Sequence, residues 1–386
     1  MPNTLTNLIP SLYAGLDTVS RELVGYIPAV RRDATADRAA VGQPVTFPIT
    51  PPGNVVNVTP AMTVPEPTDQ TIGSDTVVIT KARSAEFGFV GESELGLNNN
   101  GPGVNIVQAD MFAQAIRALT NEVELDLANA AALDCSRAFG VVGTAPFATN
   151  INDFSQLGKI LSDNGAPVTE RSLVLDTSAG ADLRTLHGIN ADRDYSLLPF
   201  AEQGVLISKY GFATRETGQA VAHTAGTAAS ATTNAAGYAV GTTVLTLASA
   251  GTGTFVPGDV ITLAGDSNQY VITLGDTDVS NGGTITLAAP GLRQAVAAST
   301  TAITRIASYE VAGVGFTRDA IILASRAPAR PDGGDLASDV RMITDPRSGL
   351  SMEVALYPGF RKVRYEVSLA WGVKKLKSAH SALLLR

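Results

Sequence analysis

Residues 105–139 read NIVQADMFAQAIRALTNEVELDLANAAALDCSRAF. Phe112, Ile116, Leu119, Val123, Leu127 and Ala130 recur at spacings of three and four, which is the period of one helical face. Asn105 is placed to cap the start, with Gln108 three residues on in capping-box spacing. Gly140 is placed to end the helix after Phe139. More than thirty residues at roughly 1.5 Å each give a rod of about 45–50 Å, near three times the mean helix length. Glu122 and Asp126 share a face at i,i+4 and read as solvated carboxylates. Cys135, near the helix end, reads as a buried small hydrophobe.

On the N-terminal side of this rod the chain is extended. Residues 41–70 hold Pro44, Pro48, Pro51, Pro52, Pro60, Pro65 and Pro67. Short β-branched runs lie among and after them: Val45–Thr50, Val55–Thr59, Asp75–Thr80 and Glu86–Val90. Proline cannot donate to a central ladder, so these are edge strands. They read as a long two-stranded arm projecting from the body, or as a proline-rich surface meander of a monomer. An isolated two-stranded ribbon is marginal in water, so an arm implies a partner surface. Before it, Leu5, Leu8, Ile9, Leu12, Leu16, Val19 and Leu23 form a narrow apolar stripe. With Pro10 inside the run, a helix is expected from about Ser11.

On the C-terminal side, residues 150–212 alternate helix and strand: helix Asp153–Asn164, strand Ser172–Leu175, helix Ser178–His187 and strand Gly204–Tyr210. From Thr217 to Gly258 there is no Asp, Glu, Lys or Arg. That Ala/Thr/Gly/Ser stretch leads into short strands at Thr243–Leu247, Asp259–Leu263, Tyr270–Leu274 and Thr284–Leu287. Their spacing suggests a small β-barrel or sandwich. Residues 213–312 therefore read as an all-β module inserted into the α/β unit. Phe316–Ala327 reads as one buried strand. Leu350–Leu356 and Val363–Val373 read as a hairpin around Tyr357–Lys362. Arg361–Arg386 holds seven basic residues against Glu366 alone; it suits nucleic acid, a solvated hairpin or an acidic neighbouring subunit.

Composition narrows the function. The chain has 386 residues, 17% charged and 45% hydrophobic, enough for two or three domains at about 150 residues each. With 28 basic and 36 acidic side chains the net charge is −8, unlike a dedicated nucleic-acid binder. One cysteine rules out an internal disulfide and a cysteine-built zinc site. His187, His223 and His380 lack metal-ligand spacing. Arg21 is the first basic residue, so no secretory n-region is expected, and no run of about 18 apolar residues reads as membrane-spanning. No nucleophile elbow, HExxH, phosphate-binding loop or dinucleotide fingerprint is present. Asp276, Asp278 and Asn281 faintly resemble a calcium loop, but glycine and glutamate are missing at its sixth and twelfth positions, so the stretch reads as a β-turn. Asn57-Val-Thr59 matches a glycosylation sequon. We expect no catalytic, cofactor-binding or metal-binding residues, no cofactor, and no enzyme.

The order of elements resembles the HK97 fold of tailed-bacteriophage major capsid proteins, an α+β fold. The sequence is most similar to the short-tailed phage coat proteins with an extra inserted β-domain. Ile116–Ala131 (IRALTNEVELDLANAA) resembles their spine helix, Pro257–Gly265 (PGDVITLAG) a strand pair of their inserted domain, and Val367–Lys375 (VSLAWGVKK) their closing strand, with Trp371 and Gly372 in matching places. The likeness runs in order over nearly the whole chain and is diffuse.

The resemblance implies an N-terminal arm (1–40), an E-loop and its base (41–90), a P-domain with its spine helix (91–150), a first part of the A-domain (151–212), an inserted β-domain (213–312) and closing strands (313–386). It implies a structural protein assembling as hexamers and pentamers into an icosahedral shell around double-stranded DNA, without sequence-specific binding. It also implies a procapsid built on scaffolding protein, a portal, a possible decoration protein, assembly in the host bacterial cytoplasm and a final place in the virion capsid. No membrane is involved. Some members cross-link through an E-loop lysine. Residues 1–80 hold no lysine and Lys81 falls at the base of the arm, so no covalent chainmail is expected. The insertion reads either as a stabiliser of the subunit and its neighbours or as a display surface; its few rings (Tyr238, Phe255, Tyr270) favour the first. Two other functions compete: an encapsulin-type compartment, opposed by the large insertion, and a surface β-rich binding protein, supported only by the Ala/Thr/Gly composition.

Overall fold

A computed structural model describes residues 23–50, 53–58, 60, 66, 69–100, 103–191, 206 and 208–386. The stripe from Leu5 to Val19 and the helix expected from Ser11 lie outside these residues. In chain order the first strands are β1 (Arg31–Ala39), β2 (Pro44–Ile49), β3 (Gly73–Val78) and β4 (Lys81–Val90). Helices α1 (Gly91–Asn100) and α2 (Val104–Ala132) follow, then β5 (Arg137–Phe139), α3 (Asn152–Asp163), β6 (Arg171–Leu175), α4 (Thr177–Ala191) and β7 (Phe212–Glu216). Next come β8 (Ala222–His223), β9 (Val244–Thr246), β10 (Val260–Leu263), β11 (Gln269–Leu274), β12 (Thr284–Leu287) and β13 (Ile303–Arg305). The chain closes with β14 (Tyr309–Thr317), β15 (Ile321–Pro328), β16 (Asp339–Thr344), β17 (Ser351–Gly359), β18 (Lys362–Lys375) and β19 (Ser381–Leu385).

These strands make three sheets. One has the order β1-β15-β18-β17-β16, with β4 also on β18; β2 and β3 form a separate ribbon. The largest has the order β13-β10-β11-β5-β19-β14-β6-β7, with β12 on β11 and β9, and β8 on β14. Helix α2 lies between the first sheet and the largest. Its face Phe112, Ile116, Leu119, Val123 and Leu127 is buried in one cluster with Val367, Leu369 and Trp371 of β18, Val314 and Phe316 of β14, and Leu383 of β19. Ala130 of the expected face is only half-buried, and Ala131 takes its place.

The rod is shorter than its sequence pattern. It has 29 residues, about 43 Å at 1.5 Å each. Gly103 precedes it with φ +93°, and no side chain caps it from that position. The expected Asn105–Gln108 box is not formed, since both lie inside the helix. Asn98 of α1 instead accepts the Val104 N–H at 3.2 Å. The far end stops at Ala132 because residues 137–139 pair antiparallel with β11 and parallel with β19.

Three other expectations are corrected and one, the closing hairpin, is present with its turn narrowed. Residues 55–58 lie in no strand, and Thr59 falls outside the described residues. Of Gly204–Tyr210, the described positions 206 and 208–210 are not strand; the pairing segment starts at Phe212, which joins β6 in parallel. Phe316–Ala327 is two strands interrupted at Arg318–Ala320. The turn at Tyr357–Lys362 narrows to Phe360 and Arg361, with Gly359 opposite Lys362. The boundaries expected at 212/213 and 312/313 fall inside β7 and β14. Between those strands, Leu245, Leu247, Phe255, Ile261, Tyr270, Ile272, Ile285 and Leu287 form an apolar cluster of their own.

Candidate functional site at the base of the arm

The ribbon β2–β3 pairs Pro44–Ile49 with Val78–Gly73 in unbroken register. Its base is fixed by main-chain bonds: Gly42 N–H to the Ile79 carbonyl (2.8 Å), Ile79 N–H to Gln43 (3.0 Å) and Thr80 N–H to Trp371 (3.0 Å). Val77 and Ile79 are fully buried against Ala39, Ile322, Ala324 and Ala370. Below that small core the chain enters β4, which pairs with β18 from Lys81↔Trp371 to Val90↔Lys362.

Lys81, the first lysine of the chain, sits where arm, long helix and closing strand meet. Its Nζ donates to Asp126 at 2.8 Å and Glu122 at 3.1 Å, and it lies 5.9 Å from the Trp371 ring centroid. Trp371 Nε1 donates to the other oxygen of Asp126 at 2.9 Å. Arg83 adds a 3.4 Å contact to Glu122. Burial pulls the Lys81 ammonium down, but the hydrogen bonds to Asp126 and Glu122 outweigh it and raise its pKa. The i,i+4 carboxylates read as solvated are thus one cation's seat. Their spacing was visible; a lysine 41 residues away was not a signal that sequence could pair with them.

A second latch holds strand β3 of the arm. Lys374 Nζ bonds Asp75 and the Thr76 carbonyl, the latter at 3.1 Å. The bond to Lys374 holds the Asp75 carboxyl below its ordinary range, against a smaller opposing effect of burial. Between the latches, a Cβ on Gly372 would overlap the Val78 carbonyl oxygen, so only glycine lets the arm cross β18 this closely.

The basic C-terminal stretch is dispersed rather than gathered. Lys374 takes Asp75, Lys375 takes the Ala131 and Leu133 carbonyls, Arg364 takes Glu86, and Arg386 takes Asp176. Cys135 is buried and its thiol donates to the Ala131 carbonyl at 3.1 Å. His223 Nε2 is 2.9 Å from Asp259, and burial lowers the His380 pKa; the side chain of His187 is outside the described residues. Asp278 bonds Ser280 and Asn281 in a tight turn. Among the described residues, no group of three or more His, Cys, Asp or Glu is arranged to hold a metal ion. No described helix is long and apolar enough to cross a membrane.

No protein-family model and no curated protein matches the chain. Solved structures do. The chain matches "Capsid structure of the Cyanophage P-SCSP1u" at 11% identity and TM-score 0.50, over 95% of this chain and 89% of that one. Mycobacterium phage Che8 matches at 12% identity and TM-score 0.45, over 95% and 92%. A virus-like particle from Pyrococcus furiosus matches at 10% identity and TM-score 0.43, over 99% and 100%. The likeness to the cyanophage capsid covers nearly the whole of this chain, and the fold of this chain is the HK97-type capsid fold.

Proposed function

We propose that this chain is the structural subunit of an icosahedral shell of the tailed-phage type, which assembles in many copies around packaged double-stranded DNA and has no catalytic role. The arm carries the reading. It is a ribbon of two strands, which is marginal alone, and beyond its paired residues Val55, Val56 and Val58 stand 94, 70 and 99% exposed. Apolar side chains so presented serve a partner surface. Copies of the same chain fit that role, because a modest contact repeated around a closed shell is multiplied. The net charge of −8 suits a container, since a strongly cationic wall would retain the entering duplex through counterion release.

The same reading places the protein in the virion capsid after assembly in the host cytoplasm, with scaffolding protein and a portal as partners. It takes residues 217–308 as an inserted β-module that stabilises the subunit. Their own apolar cluster and the short pairings that join them to the rest of the largest sheet, β11–β5 and β8–β14, support that. Deleting residues 224–307 should leave misfolded monomer; normal capsids with altered adsorption would favour display. The deciding experiment is negative-stain electron microscopy with sedimentation of the protein expressed alone and with scaffold. Closed shells, tubes or spirals are expected. A small species that never assembles would overturn the proposal.

A further inference from the structure

β4 runs ten residues from Lys81 to Val90, about 33 Å at strand rise, so its far end is remote from the arm. There β17 and β18 turn through Phe360 and Arg361, and the Gly91 N–H, which opens α1, bonds the Arg361 carbonyl at 3.1 Å. Phe360 is 89% exposed and Leu95 of α1 is 62% exposed. The phenyl ring is held outward by a two-residue turn, with Arg361 at φ +55° and its guanidinium 5.6 Å from the ring centroid. Charges of both signs flank this apolar spot: Arg361 and Lys362 on the hairpin, Glu92 and Glu94 on the helix. None of the four has an ion-pair partner among the described residues.

We propose that this tip is a docking surface for a second copy of the chain, with the hairpin of one copy seated on helix α1 of the next. Phe360 is the anchor, packing against Leu95 of the neighbour. A rigid exposed aromatic is the side chain that dominates such contacts. Arg361 and Lys362 then face Glu92 and Glu94 of the neighbour, and this complementarity fixes register and orientation. The contact is heterologous: each copy gives a hairpin and receives one on a different surface, which closes into a ring when the rotation allows. The inference rests on the shell reading and adds a specific interface to it.

The test compares assembly of the full chain and its variants by sedimentation and electron microscopy, with thermal melts confirming that each variant folds. Phe360→Ser should raise the concentration needed for assembly by about tenfold or more. Arg361→Glu with Lys362→Glu should lose assembly, and so should Glu92→Lys with Glu94→Lys. Combining all four reversals should restore it. Assembly of Phe360→Ser at the wild-type concentration, or a fourfold variant no better than the pairs, would overturn the contact and leave the shell reading standing. A wild-type chain that stays monomeric with scaffold present would remove both.

Discussion

Glu124 lies on the buried face of α2 and is 1% exposed. Its two oxygens accept the successive backbone N–H groups of Gly25, Tyr26 and Ile27 at 2.7, 2.8 and 3.0 Å, and the Thr217 hydroxyl at 2.9 Å. One side chain thereby gathers three segments far apart in sequence. Burial raises its pKa, and the donors, led by Tyr26, pull it part of the way back. The folded chain therefore takes up this proton at higher pH than the unfolded chain. The contribution of this group to stability grows as pH falls from neutral through the raised pKa, and is level below the unfolded value. Glu124→Gln keeps one acceptor and turns an NH₂ toward a backbone donor. It should cost about 1–3 kcal/mol at neutral pH and abolish that acid-side gain, read by urea unfolding of the unassembled subunit. Gly372→Ala forces a Cβ into the Val78 carbonyl. About 1–3 kcal/mol of overpacking should appear in the same assay, with cleavage at the arm base by protease.

At the scale of elements, the arm is a lever held by two ammonium groups. Asp75 has a lowered pKa because of Lys374. Its contribution is therefore complete above the ordinary carboxyl range of about 4 and is lost as pH falls through the lowered value. Hydrogen exchange in Gly73–Val78 should accelerate over that acid interval, and Lys374→Met should show fast exchange already at neutral pH. Lys81 is the inner pivot. The chain has one tryptophan, and Trp371 touches both Lys81 and Asp126, so its fluorescence reports this junction directly. Lys81→Met leaves Glu122 and Asp126 on adjacent turns without their shared cation. Emission should shift while the subunit loses about 1 kcal/mol, the scale of a partly exposed ion-pair network. Unchanged emission would show that the Lys81 contact does not shape the tryptophan site. The pattern of α2 exposed its apolar face but not its charged one, because a carboxylate's role depends on what strand crosses it.

At the scale of the whole molecule, the proposed shell is held by non-covalent contacts. The first 80 residues contain no lysine, and Lys81 is engaged by two carboxylates at the base of the arm rather than carried at its tip. Mature particles dissolved for denaturing electrophoresis should give one monomer band; a ladder of covalent multimers would contradict this. The two large sheets and α2 share one apolar cluster, so the subunit should unfold as one transition across them. The separate cluster of residues 228–303 is a candidate for a second transition by calorimetry.

The sequence by itself determined those elements whose signal is local and periodic. They are the apolar face of the long helix, the β2–β3 ribbon, the short strands between Thr243 and Leu287, the helix at Asn152–Asp163 and the closing hairpin. In each, neighbouring residues alone set the period and turn chemistry. Only the tertiary structure decided where the long helix stops. Arg137 is helical by pattern, yet it is 3% exposed in β5 and bonds Asn268 at 2.7 Å and Asp163 at 3.1 Å. The strands Arg31–Ala39 and Ser381–Leu385 likewise took shape through partners hundreds of residues away, in β15 and β5. Pairing energy from distant strands outweighs a local propensity worth only tenths of a kcal/mol per residue, and buried carboxylates such as Glu124 acquire meaning only from the donors that folding brings to them.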